Sequence, residues 1–259
     1  MAHPLRVKRR TFASLALAVA LLTLGSVPIT QAAVTSRLPD LAVLAPFDFK
    51  IEISPEGRRL LRFSTVIVNI GNGPLKMYGY DPIDGVASIG DTLKVRQQIY
   101  RSDGTWRVRE TTATMKYAAD GHNHFHAVDL QKIRIQNLDH KTLRNSAKTG
   151  FCFLDSYNYG SPKPSRFNSA NHVCNIAPNK TVPMGIAINW GDIYRSTIAF
   201  QWIDITGMPS GDYLIKIIAD PAWQTGGRFL ESDETNNRGW AKIRLTKTGV
   251  TVLSKSARP

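Results

Sequence analysis

The sequence predicts an all-β fold, a β-sandwich bearing long functional loops. Apolar and polar residues alternate along several segments, the pattern of half-buried strands. Gly, Pro and Asn clusters separate these segments at intervals suited to a sandwich. No segment carries a sustained apolar stripe at helical spacing with caps at its ends.

In chain order, the first element is a leader. Arg6, Lys8, Arg9 and Arg10 precede an apolar run from Phe12 to Leu24, and "TQA" at 30–32 supplies small residues for cleavage after Ala32. This is the layout of a secretory signal peptide over residues 1–32, because the run falls short of the roughly 20 residues a membrane span needs. "KRRTF" leaves a twin-arginine route open beside the general one. The expected product is a secreted, extracytoplasmic protein with no stable membrane insertion after cleavage. Its one domain would cover residues 33–250.

Within that domain, "LLRFSTVIVNIGNGPLKMYG" (60–79) alternates and turns at "GNG", and "TWRVRETTATMKY" (105–117) alternates too. "AVDLQKIRIQNL" (127–138) and "STIAFQWIDIT" (196–206) read as strands. "GMPSGDYLIKIIAD" (207–220) is a turn followed by a strand, and "WAKIRLTKTGV" (240–250) is the last strand. From 152 to 194 the composition shifts to Ser, Asn, Pro and Tyr, which predicts a long loop of the kind that often carries function. Residues 251–259 read as a disordered tail.

The formal net charge is +13. Removing the four basic leader residues leaves about +9; such a surface would favour acidic partners, but the simpler reading is a soluble, basic exported protein. The basic residues form no dense block and are not interleaved with aromatics, so no nucleic-acid partner is expected. The two cysteines, Cys152 and Cys174, are expected to form one disulfide in an exported chain.

The densest chemical signal is "DGHNHFHAVDL" (120–130). Half of the six histidines, His122, His124 and His126, stand there at alternate positions. On a helix such residues diverge, whereas on a strand they share a face. The outer two would still lie roughly 13 Å apart on a flat strand, so the segment must bend, and Gly121 is the residue that would permit it. Three imidazoles suit copper, zinc, iron or nickel, and a three-ligand set leaves a position open for chemistry.

Further landmarks follow in order: "AKTGFCFLD" (147–155), "GDIYRSTIAFQWIDIT" (191–206), "SGDYLIKIIADP" (210–221) and "ESDETNN" (231–237). With the H-x-H-x-H segment and the acidic Asp129 after it, this series resembles the catalytic domain of the lysyl oxidase family. The resemblance extends to "LPDLAV" (38–43) and so over nearly the whole mature chain. It implies copper held by His122, His124 and His126. It also implies a self-derived lysine tyrosylquinone made from Lys148, four residues before Cys152, and Tyr194, seven before Gln201. The implied activity is oxidation of primary amines, lysyl residues of proteins among them, by O2 to aldehydes, with release of ammonia and H2O2. Asp129 would be a base or a partner of a ligand histidine. Glu231, Asp233, Asn236 and Asn237 offer hard oxygen ligands suited to Ca²⁺, and the resemblance completes that site with Asp40 and the Leu41 carbonyl.

The chain departs from the animal pattern just before the histidines, where it reads "KYAADG" (116–121), and has one cysteine pair. In this it resembles bacterial members. Two other readings stand beside the enzyme. One is a non-catalytic, adhesion-type sandwich, suggested by "VNIGNGP" (68–74). The other is a copper-binding protein without a quinone.

Overall fold

The computed structural model describes residues 1, 33–118, 122–221 and 227–259. The leader at 2–32 and Gly121 therefore lie outside the described residues. The chain is all β: no α-helix occurs among the described residues, only a 3-10 turn at Ser169–Asn171. Among the described residues no helix is long and apolar enough to cross a membrane.

The strands run β1 (Ser36–Arg37), β2 (Leu41–Val43), β3 (Phe47–Ile53), β4 (Arg59–Asn69), β5 (Leu75–Tyr80), β6 (Thr92–Arg101) and β7 (Trp106–Tyr117). They continue with β8 (Phe125–Val128), β9 (Gln131–Gln136), β10 (Thr142–Asn145), β11 (Gly150–Phe151), β12 (Tyr157–Asn158) and β13 (Val182–Ile186). The last are β14 (Trp190–Tyr194), β15 (Trp202–Asp204), β16 (Gly211–Ala219), β17 (Arg238–Leu245) and β18 (Val250–Lys255).

Among the described residues all pairings are antiparallel and form three sheets rather than the two of a simple sandwich. A seven-stranded sheet has the order β11-β8-β7-β6-β5-β13, with β1 on β6. A five-stranded sheet runs β10-β9-β16-β17-β18, and a six-stranded one is built around β4. The third sheet exists because β4 is long enough to take different partners on its two halves. Its first half pairs with β3 and β15, its second with β2 and β14. β4 is buried along nearly its whole length, as its run of β-branched residues Thr65 to Val68 requires. β16 shows the simpler alternation: Tyr213, Ile215, Ile217 and Ala219 face one core while the intervening residues stay partly exposed. Phe63, Phe125, Phe151, Phe153 and Phe229 are fully buried in that same core.

The turn after β4 needs its glycine. A Cβ on Gly73 would stand 1.9 Å from the Arg37 carbonyl oxygen. Asn69 holds the turn by donating from Nδ2 to the carbonyls of Gly73 and Ile186, each at 3.0 Å.

Four expectations from the sequence need correction. The segment 127–138 is not one strand: Asp129 adopts φ 56, which separates β8 from β9. In 196–206 only Trp202–Asp204 is strand, because residues 196–200 form turns, with Phe200 at φ 61. The expected loop at 152–194 contains β13 and β14, which complete two of the sheets. The expected tail at 251–259 is strand over residues 251–255. β18 pairs with β17 after a turn at Thr246–Gly249, and Tyr159 donates its hydroxyl proton to the Pro259 carbonyl.

Candidate functional site

The three histidines converge, but not along a strand. β8 begins only at Phe125, and Asn123 takes a left-handed conformation at φ 50. The bend between His122 and His124 therefore lies at Asn123. It brings the ring centroids to 5.5, 5.5 and 4.8 Å of one another. One ring nitrogen from each lies within 4.8 Å of the others, with His124 Nε2 and His126 Nε2 at 3.0 Å. His126, buried on β8, is the most fixed of the three. It packs so closely on β11 that a Cβ on Gly150 would meet the His126 Cβ and Nδ1 at 2.8 Å.

The loop carrying Lys148 is pinned to β15. The Trp202 carbonyl accepts from the Ala147 N–H and the Ser146 hydroxyl, both at 3.1 Å. Lys148 is 5% exposed, and its Nζ lies 5.1 Å from the centroid of the Tyr194 ring. Tyr194 closes β14 and is buried. Its hydroxyl accepts from the Cys152 N–H at 2.6 Å and donates to the Cys152 carbonyl at 3.0 Å. Phe151 meets the Tyr194 ring edge-on at 5.0 Å. Cys152 is bridged to Cys174, with Cα atoms 5.8 Å apart. The bridge closes a loop of moderate length, for which chain entropy gives about 3 kcal/mol. The Cys174 carbonyl accepts from the Phe125 N–H at 2.8 Å, so one short segment links the histidines, the disulfide and Tyr194.

A family model described as lysyl oxidase matches residues 90–254. The chain belongs to the lysyl oxidase family. Lysyl oxidase homolog 2 from Bos taurus is 31% identical over 119 residues, 46% of this chain and 14% of that protein. Lysyl oxidase homolog 3A from Danio rerio is 26% identical over 181 residues, 70% of this chain and 18% of that protein. Lysyl oxidase homolog 2B from Danio rerio is 28% identical over 182 residues, again 70% of this chain and 18% of that one. The chain thus matches less than a fifth of the length of these relatives. The matched range contains the three histidines, Lys148 and Tyr194, while Asp40 and Leu41 precede it.

The candidate site contains a residue that sequence reasoning missed. Asp192 lies two positions before Tyr194 on β14, hence on the same face, and is 2% exposed. Its Oδ1 accepts from the Ser156 hydroxyl at 2.8 Å. Its Oδ2 is buried without a well-directed donor, although the carboxyl is close enough to the Tyr194 hydroxyl to interact with it. Burial pushes the Asp192 carboxyl up to about 8, against the opposing effects of the Ser156 and Tyr194 hydroxyls and the Lys148 charge. Burial, with Asp192 beside it, pushes the Tyr194 phenol well above its ordinary value. The available signal was the i, i+2 spacing in "GDIY", which becomes informative only once this segment is recognised as a strand.

Lys148 stands between two cavities. The smaller, about 300 Å³, also contains His126, Tyr117 and Phe200. The larger, about 580 Å³, contains Asp129. Asp129 lines the larger cavity and not the smaller one. Its N–H donates to the Thr149 carbonyl at 2.9 Å, and its own carbonyl accepts from the Arg228 guanidinium.

The oxygen-rich residues partly assemble. The Leu41 N–H donates to Glu231 Oε2 at 2.5 Å, Asn237 Nδ2 to Glu231 Oε1 at 3.0 Å, and Asn236 Nδ2 to Asp40 Oδ1 at 2.7 Å. The Oδ1 atoms of Asn236 and Asn237 are buried without donors, as cation ligands would be. Asp233 is instead engaged in its own turn, accepting from the Thr235 N–H and hydroxyl at 2.8 and 2.6 Å. Glu231 converges with Asp220 and Glu234, which the sequence reading did not include.

Proposed function

We propose that this chain is a secreted, copper-dependent amine oxidase of lysyl oxidase type. It would convert primary amines, peptidyl lysine foremost, to aldehydes with O2 and release ammonia and H2O2. The observation that carries this reading is the burial of Lys148 Nζ 5.1 Å from the Tyr194 ring. The two side chains that the quinone would join are therefore already neighbours inside the protein, out of reach of bulk water. The nitrogen cluster of His122, His124 and His126 fits copper in donor type and spacing. When bound, copper and the quinone made from Lys148 and Tyr194 supply the oxidising power for the amine.

The chain's own residues position and protect this chemistry. Cys152 fixes the phenol oxygen through both its backbone groups, and Phe151 fixes the plane of the ring. Asp192, facing the same hydroxyl, is placed to take the phenolic proton. Asp129 lies in the larger cavity beside Lys148 and is the candidate for proton removal from substrate carbon. Phe200, bulky and held at positive φ, borders the smaller cavity and would limit water there.

The test uses the exported form purified with copper. A positive redox-cycling quinone stain and amine-dependent H2O2 are the expected results. Copper-replete protein inert in both assays would overturn the reading.

Gly150→Ala is expected to weaken copper retention by about tenfold, because the new methyl displaces the His126 ring. Competition with a chelator, followed at equilibrium, measures this. Retention equal to wild type would show that His126 is not a ligand or that β11 yields without cost.

For the acidic cluster we propose Ca²⁺, held by Asp40, the Leu41 carbonyl, Glu231, Asp233, Asn236 and Asn237, with Asp233 turning inward on binding. At a hundredfold excess over Kd, Ca²⁺ is expected to raise the melting temperature by about 5 °C. Asn237→Ala should remove that increment. A melting temperature indifferent to Ca²⁺ in the wild type would sink the assignment.

A further inference from the structure

The larger cavity beside Lys148 is built for negative charge. Lys132, Arg134, Arg228 and Arg238 line it, and Asp129 is the one carboxylate among its described lining residues. The sheet register explains the concentration. Lys132 on β9 and Arg238 on β17 both pair with Ile218 of β16, so the two cations flank one apolar residue on the same face. One step along, Arg134 lies opposite Lys216. Burial pushes the Lys216 amine below its ordinary value, and the charges of Arg134 and Arg238 add to the effect. Lys132, Arg134, Lys216 and Arg238 form no salt bridge among the described residues, in contrast to Lys242 and Arg244, which share Asp212 further along the same sheet.

A second observation points to a ligand. Gln131, 4% exposed, lines the same cavity, and neither atom of its side-chain amide has a hydrogen-bond partner among the described residues. The Arg134 Nε is likewise buried and unpartnered. An unpaired buried donor such as the Arg134 Nε is costly, and an incoming carboxylate would relieve it while neutralising Lys132 and Arg238.

We propose that this cavity binds the acidic side chains flanking the reacting amine, so that the substrate class is lysine within an acidic peptide segment. The proposal rests on the amine-oxidase reading for its purpose, but its binding half can be tested without turnover. An isolated ammonium approaching Lys148 meets like charges on the cavity wall. Carboxylates beside it on the same peptide reverse that balance and settle against Lys132 and Arg238 while the lysyl side chain extends to Lys148. Ile218, which pairs with both Lys132 and Arg238, supplies apolar contact between the charges.

The test compares two labelled peptides in which norleucine replaces the lysine, one flanked by Asp and Glu, the other by Asn and Gln. Fluorescence anisotropy at about 0.05 M salt is expected to show the acidic probe bound about tenfold tighter, with the preference fading at high salt. In the double variant Lys132→Gln, Arg238→Gln, both at exposed positions, the two probes should bind within about twofold of each other. Lys132→Glu, checked for folding by circular dichroism, should shift preference the same way. With lysine restored, the ratio of kcat/KM for acidic over neutral peptide should fall by about tenfold in the double variant. Equal binding of the two probes by the wild type overturns the proposal, as does a preference that survives Lys132→Gln, Arg238→Gln. If no amine yields peroxide but the acidic probe keeps its charge-dependent preference, the oxidase reading fails and the binding site stands.

Discussion

Lys148→Ala and Tyr194→Phe are each expected to reduce quinone staining and amine-dependent H2O2 to background. The expectation is total because both side chains become part of one group in the proposed cofactor, so neither loss can be partial. Lys148 supplies the amine from a buried position 5.1 Å from the ring. Tyr194 supplies the ring and the oxygen. Tyr194→Phe also leaves the Cys152 N–H and carbonyl without their partner, at a stability cost of about 1–3 kcal/mol. A folding control by circular dichroism therefore accompanies it. Lys148→Arg adds a sharper arm: it keeps a cation near the Tyr194 face but offers no amine of the same reactivity, and should be as inactive as Lys148→Ala. Persistence of stain and peroxide in any of these variants would refute the cofactor assignment. If the wild type retains copper yet gives neither signal, the chain is a copper-binding protein without a quinone. Protein that binds no copper and is inert fits the non-catalytic sandwich.

Much of this site was legible in the sequence because its parts are local. Three histidines within five positions converge whatever the rest of the chain does, provided one residue bends the backbone. The sequence pointed to Gly121 for the bend, and the described bend lies at Asn123, whose short polar side chain also tolerates positive φ. Lys148 and Cys152 are likewise neighbours. What escaped was whatever depends on pairing distant segments. β14 lies in a stretch rich in turn residues and forms because β4 offers it a buried edge, with Tyr194 opposite Thr65. Without β14 as a strand, Asp192 is an ordinary acid in a loop. With it, Asp192 is sealed beside Tyr194 and held by Ser156, a residue 36 positions away. The basic cavity is hidden for the same reason: its cations come from β9, β17 and the segment around Arg228, and only the register unites them. The final strand escaped differently. "GVTVLSK" has strand propensity, but its proximity to the chain end argued for disorder, and β17 presents the edge that orders it.

Asp192→Asn is expected to lower kcat, or the rate of quinone formation, by about a hundredfold or more, the range of general acid–base contributions. The sign of its pH effects follows from its burial. The carboxyl titrates near 4 in an unfolded chain and at about 8 in the folded one. Between those values the folded protein holds a proton that the unfolded chain has released, so folding stability falls as pH rises across that window. The slope approaches about 1.4 kcal/mol per pH unit at most. Asparagine cannot ionise, so Asp192→Asn abolishes this contribution, and the variant gains on the wild type between pH 5 and pH 8. Urea titrations of both proteins in copper-free form at these two pH values isolate the difference, because other buried acids contribute equally to each. The kinetic profile should move in the opposite sense. A step in which Asp192 accepts the Tyr194 proton needs the carboxylate, so its rate climbs through pH 8 in the wild type and flattens in the variant. A wild-type stability difference between the two pH values that Asp192→Asn leaves unchanged would show that the carboxyl is already ionised, and a rate unaffected by the substitution would remove Asp192 from the proton path. A purely structural acid would produce the stability change alone. Only a proton acceptor facing the Tyr194 hydroxyl couples the loss of stability to the gain of rate in the same pH window.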